Sequence, residues 1–166
     1  MKKVIICLLV LLTLSACGKN NTQKANEEKY LDYCELLVTH EEFKDRSEFF
    51  DVSSDITNTD EGYRYYIIID NPKIAMYNIE AVALEKEVDY TVNMAANIGI
   101  FEENKYTFIP NQANPDDGFV KGISISGLTT NPSPTLYLLV EWSDSGLNIT
   151  KREFLKVNIS SGENYE

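Results

Sequence analysis

The spacing of apolar residues changes character three times along this chain. Residues 4–14 are apolar but for Thr13 and lie behind Lys2 and Lys3. Residues 18–29 are polar and show no apolar stripe. Tyr30, Cys34, Leu37 and Val38 then recur at i, i+4, i+7 and i+8, with Glu and Lys at many of the positions between, which predicts a helix over 30–46. After Ser47 the period falls to two. Phe50, Val52 and Ile56 alternate with polar residues, and Asn58 to Gly62 supplies turn chemistry. The aromatic and β-branched run 63–69 follows, so the two stretches predict a hairpin. Further strands are predicted at 78–85, 98–101, 106–110, 119–126, 135–142 and 149–159, separated by Asn, Asp, Gly and Pro clusters. In 135–142 the residues Leu136, Leu138, Val140 and Trp142 share one face, which predicts that this face is the core side.

No helical segment separates the strands, which excludes a parallel βαβ sheet and leaves two antiparallel sheets packed face to face. The predicted fold class is mainly β, an antiparallel immunoglobulin-like sandwich of about seven strands with a short N-terminal helix. Gly127-Leu128, the loop containing Pro132 and Pro134, and Tyr137 on the next strand resemble the E–F corner of fibronectin type III and other immunoglobulin-like domains. That resemblance implies the same sandwich architecture.

The apolar run at the start is too short to span a bilayer, which takes about 20 apolar residues. It suits the h-region of a secretory signal behind a positive n-region. It closes on Leu14-Ser15-Ala16-Cys17. This order resembles the lipobox of bacterial lipoproteins. The resemblance implies cleavage between Ala16 and Cys17, lipid on the Cys17 thiol, and a protein anchored at the extracytoplasmic face of a cell membrane. A single acyl chain anchors only marginally and two anchor stably; the lipid on Cys17 would supply at least two. The chain then divides into a signal peptide (1–16), a flexible tether (17–29), a helix (30–46), a sandwich domain (47–160) and a polar tail (161–166). The richness in Lys, Asn and Ile fits an AT-rich, Gram-positive source.

Charge narrows the partners. Removing Lys2 and Lys3 from the 15 basic residues leaves 13 against 26 acidic ones, a formal net charge of −13. That argues against nucleic acid, which requires a positive face. Cys34 is the one thiol left after Cys7 departs with the signal and Cys17 is lipidated, and it reads as a packed core residue. His40, between Thr39 and Glu41, reads as a solvated surface residue. Asp116 and Asp117, in Asn114-Pro115-Asp116-Asp117-Gly118, are the candidate metal ligands, although turn chemistry accounts for the same residues. No metal site is assigned, and no catalytic or cofactor motif occurs in the sequence.

The sequence therefore points to a lipid-anchored, non-enzymatic interaction domain whose partner is an envelope or extracellular protein. The stretch 86–118, long and irregular, is the candidate binding surface. A ligand-binding lipoprotein for sugar, peptide or metal is the alternative, and a small envelope hydrolase the third reading. Cys17→Ser should abolish incorporation of a labelled fatty acid and release the protein from the membrane fraction. Label retained by that variant would contradict the lipobox assignment.

Overall fold

The computed structural model describes the backbone of residues 2–160 and the side chains from residue 21 to residue 160. The side chains of Ala16 and Cys17, on which the anchor expectation rests, and the tail 161–166 lie outside the described residues.

Helix α1 runs Lys2–Thr39. It is not the short helix over 30–46 that the apolar spacing predicts. It takes in 17–29, where the sequence suggests a flexible tether. The polar segment has the means to be helical without an apolar stripe. Gln23, Lys24, Ala25, Glu27, Glu28 and Lys29 are good helix formers. Gln23 bonds Glu27 at 3.0 Å and Lys24 faces Glu28 at 3.8 Å, both at i,i+4 spacing. The C-terminal end comes early because the chain has another use for its backbone. Lys44 donates to the Phe154 carbonyl at 3.0 Å, and Lys156 donates back to the Lys44 carbonyl at 2.9 Å. Residues beside Lys44 thus run parallel to the last strand instead of continuing the helix. Lys86 Nζ donates to the His40 carbonyl at 2.7 Å, a cation placed at the negative end of the helix dipole.

Eight strands follow: β1 (Asp51–Thr59), β2 (Gly62–Asp70), β3 (Met76–Leu84), β4 (Ala96–Ile98), β5 (Tyr106–Phe108), β6 (Gly122–Thr129), β7 (Thr135–Ser143) and β8 (Thr150–Asn158). They form two antiparallel sheets, one ordered β1-β2-β6 and the other β4-β3-β7-β8, with β5 also on β3. The predicted hairpin is β1–β2, closed by the two-residue turn Asp60-Glu61. First, second and sixth strands thus face third, seventh and eighth, which is the strand order of an immunoglobulin-like sandwich.

Between the sheets lies the main core. Ile67, Ile69, Met76, Ile79, Phe108, Ile125, Leu136, Leu138, Val140 and Trp142 are all at most 1 % exposed. The rings of Phe49 and Phe50 stand 5.6 and 6.0 Å from that of Trp142. A second core lies on the outer face of the larger sheet. There Tyr30, Tyr33, Cys34 and Leu37 of α1 pack on Val82, Leu84, Ile100 and Leu139. Strand β7 is therefore buried on both sides: Leu139 is covered as fully as Leu138 and Val140, and Glu141 nearly so. Tyr137 belongs to this outer layer, its ring 4.6 Å from that of Phe43. It turns away from the sandwich interior, so it does not form the corner that the sequence resemblance suggested.

Trp142 is buried in the main core against the rings of Phe49 and Phe50. Trp142→Ala should cost about 3–5 kcal/mol, the range for truncating a buried aromatic. Urea unfolding measures it, and a midpoint close to wild type would contradict this account of the core.

Candidate functional site

Leu84 ends β3, and residues 85–95 must then return the chain to β4. This loop is built from tight local turns. Asp89 accepts from Thr91 twice, from the amide at 2.9 Å and the hydroxyl at 2.6 Å. The Asn93 amide reaches the Asp89 carbonyl at 3.0 Å, and the Val88 amide reaches Glu85 at 3.2 Å. The Thr91 bonds hold the Asp89 carboxyl below its ordinary range. The helix fastens the loop from outside. The Tyr30 hydroxyl accepts the Ala95 amide at 2.7 Å and donates to the Tyr90 carbonyl at 3.4 Å.

Loop backbone groups so committed leave the apolar side chains nowhere to fold back. Val88, Val92 and Met94 stand in solvent, Val92 at 77 % and Met94 at 64 % exposure. Across from them stand Leu128, also exposed, and the end of β6. Together they line an open cleft of about 690 Å³, completed by Glu61, Arg64 and Glu85. A narrower recess of about 70 Å³ runs inward from the same residues to Tyr65 and Ala83. Tyr65 lies across Gly127, its cross-strand partner; a Cβ on Gly127 would meet the phenol oxygen at 2.3 Å. Any side chain at Gly127 would therefore displace Tyr65 from the floor of the cleft. On the other side of Met94 is a second cleft of about 670 Å³, formed with Gln23, Asn26 and Glu27 of α1 and Phe101. Met94 is the ridge between the two.

The other concentration of chemistry sits beneath α1. A register shift in β3 between Tyr77 and Glu80, with Asn78 in the left-handed region (φ 52°), precedes the point where Glu80 comes opposite Glu141 of β7. Like charges paired across strands are destabilising, and both are nearly buried. Three cations offset them. Lys29 pairs with Glu80 and stands 3.9 Å from Glu141, Lys105 is 3.3 Å from Glu80, and Arg152 pairs with Glu141. Tyr33 of α1 donates its hydroxyl to Glu80 at 2.8 Å. Both Glu80 oxygens are thus engaged. The cluster works as a clamp between helix and sheet, because Lys29 and Tyr33 of α1 reach the carboxylates of β3 and β7. Burial, with the two carboxylates beside it, pushes the Tyr33 phenol far above its ordinary range.

The residues singled out from sequence fall as follows. Asp116 and Asp117 lie in a single 3-10 turn, Pro115–Asp117, where Asn114 bonds the Asp117 carboxylate. Among the described residues no three His, Cys, Asp or Glu side chains gather as a metal site. Cys34 is fully buried, and burial raises its thiol. His40 is half-buried and stacked on Phe154 at 3.8 Å, not solvated as its neighbours in sequence suggest, because the helix ends over β8. Of the candidate stretch 86–118, the first part carries the exposed apolar residues. Sequence reasoning missed the clamp. Its traces are there: an acid inside each of two apolar runs, Ile79-Glu80-Ala81 and Val140-Glu141-Trp142, and Lys29 one helical turn before Tyr33.

Tyr33→Phe removes one hydrogen bond to a buried carboxylate and should cost about 1.5–3 kcal/mol in urea unfolding; no loss would contradict the clamp. The buried tyrosines, Tyr33 in the clamp and Tyr65 in the main core, also set an alkaline limit. Burial pushes Tyr65 up to about 12 and Tyr33 higher still, against an unfolded value of about 10. Raised folded values mean that this stability is complete below pH ~10 and is lost as pH rises beyond it toward the folded values. The melting temperature should therefore fall between pH 10 and 12, and fall less in Tyr65→Phe. Equal decline in the two proteins would contradict this assignment.

Comparison with known proteins returns nothing similar: no family model, no curated protein and no solved structure matches the chain.

Proposed function

We propose that this protein is a lipoprotein anchored outside the cytoplasm through Cys17, and that its sandwich binds a protein partner. The observation that carries the binding reading is the gathering of Val88, Val92, Met94 and Leu128 around one open cleft. Scattered exposed apolar residues are ordinary on a surface. A contiguous group rimmed by polar residues marks an interaction site. The apolar centre would supply affinity by losing water, and the rim would select the partner by charge. Glu61 and Glu85 line the cleft, and Glu87 and Asp89 belong to the same loop, with Arg64 as the basic lining residue. The favoured partner therefore presents aliphatic or aromatic side chains inside a basic rim.

The anchor bears on how this surface is displayed. Tyr30, which pins the cleft loop, is the first buried residue of α1 among the described residues. A helix rises about 1.5 Å per residue, so a helical path from Cys17 would put Tyr30 some ~20 Å from the lipid. The loop would then sit at the end of the domain nearest the membrane, where a membrane-bound partner is within reach. Among the described residues no helix is long and apolar enough to cross a membrane, and in this reading the lipid supplies the attachment.

Val92→Asp combined with Met94→Asp should leave the melting temperature unchanged, since both side chains are exposed. It should weaken crosslinking to the envelope protein captured by wild type by about tenfold or more, as loss of a central apolar contact does. Equal capture by the variant would move the site elsewhere. Turnover of a peptide, glycan or ester that a single Asp or Glu substitution abolishes would overturn the binding reading.

A further inference from the structure

Strand β1 ends the order β1-β2-β6, and among the described residues no strand or isolated bridge pairs with its outer side. The direction of its backbone groups follows from the turn. A two-residue hairpin closes on a hydrogen-bonded pair, here Thr59 with Gly62, and bonded and non-bonded pairs alternate away from it. Asp51, Ser53, Asp55, Thr57 and Thr59 therefore direct their amides and carbonyls to β2. Val52, Ser54, Ile56 and Asn58 direct theirs outward. The Ile56 amide agrees, bonding the Asp55 carboxylate at 2.8 Å.

Each of the other edge strands is shorter than β1 or has a segment bridged to it. Lys44 bridges β8 at Leu155. Strand β4 has three residues and lies against β6. β1 has nine residues, and its sequence, DVSSDITNT, holds no Lys, Arg or Pro. Its charges are Asp51, which Lys73 meets at 3.1 Å, and Asp55. Glu48 precedes it, and Asp60 and Glu61 follow.

We propose that the outer edge of β1 binds an extended peptide strand bearing lysine or arginine, adding it to the sheet as a new edge strand. The outward amides of Val52, Ser54 and Asn58 and the outward carbonyls would give the main-chain bonds of strand addition, the Ile56 amide being held by Asp55, and alternate side chains would give the selectivity. Charge chooses the occupant. Antiparallel pairing of two copies centred on Asp55 would set that carboxylate opposite itself, and like charges across strands are destabilising. A basic strand meets Asp55, and Glu48, Asp60 and Glu61 beside β1, with the opposite sign, while Asp51 already pairs with Lys73. This surface is separate from the apolar floor of the cleft and does not depend on it.

The test uses the mature protein in detergent micelles and two nine-residue peptides, one alternating Lys and Val, the other Glu and Val. The lysine peptide should bind and the glutamate peptide should not. Ser54→Pro removes one outward amide and leaves the β1–β2 bonds in place; it should weaken the lysine peptide by about tenfold or more with an unchanged melting temperature. Asp55→Lys should weaken the lysine peptide by a similar factor and admit the glutamate peptide. If Ser54→Pro does not fold, Asp55→Lys decides alone. Absent binding, equal binding of both peptides, or wild-type binding by the variants overturns the proposal. So does self-association that Ser54→Pro abolishes, which would make a second copy the occupant.

Discussion

Much of this molecule depends on how α1 is held to the outer face of the larger sheet. Two opposed carboxylates, Glu80 and Glu141, would repel each other and resist burial if left alone. Lys29 and the Tyr33 hydroxyl come from the helix, Lys105 from the loop after β4, and Arg152 from β8. The cluster is satisfied only when all of these elements are in place. Its contribution is specificity of docking as much as energy, since a buried ionic group is costly in any arrangement that leaves it unpaired.

Docking has consequences at both ends of the helix. At the N-terminal end of the stretch docked on the sheet, Tyr30 ties down the loop 85–95 and so fixes the wall of the apolar cleft. Near its end, the chain turns over Phe154 and lays Lys44 along β8, where its ammonium meets the buried Glu153 at 2.7 Å. The helix and the segment after it thereby cover one sheet face and one sheet edge. Two of the surfaces left open are the cleft and the edge of β1. The first offers side-chain chemistry and the second main-chain chemistry, and acidic residues mark both. A chain with a net charge of −11 presents the same preference at longer range, drawing basic partners and repelling acidic ones.

The sandwich was legible where one local rule decides a residue. Alternation and turn chemistry located the β1–β2 hairpin, β7 and β8 to within a few residues, because strand period and Gly, Asn or Asp turns act over short range. What the sequence hid was nonlocal. Leu138-Leu139-Val140 is a continuous apolar run, which signals burial on both faces but not what covers the second one. The polar residues 21–28 are mostly exposed, so their helix rests on propensity and i,i+4 pairs. The helix stops at Thr39 because Lys44 is claimed by a strand more than a hundred residues later. Asp116 and Asp117 attracted notice as oxygen donors, while the acids with structural consequence, Glu80, Glu141 and Glu153, were concealed inside apolar strands. The exposure of Val92 and Met94 could not be read either, since it follows from how Asp89 and Tyr30 commit the loop backbone.

The central claim is that α1 and the sandwich form one cooperative unit through the clamp. Native-state hydrogen exchange measures this directly, because amides that open together share one free energy. Amides of residues 30–39 should exchange as slowly as those of β3 and β7, and should all be released together in Tyr33→Phe at lower denaturant. Rapid exchange of 30–39 beside protected β3 and β7 would show a helix that only rests on the sheet, and would contradict the account.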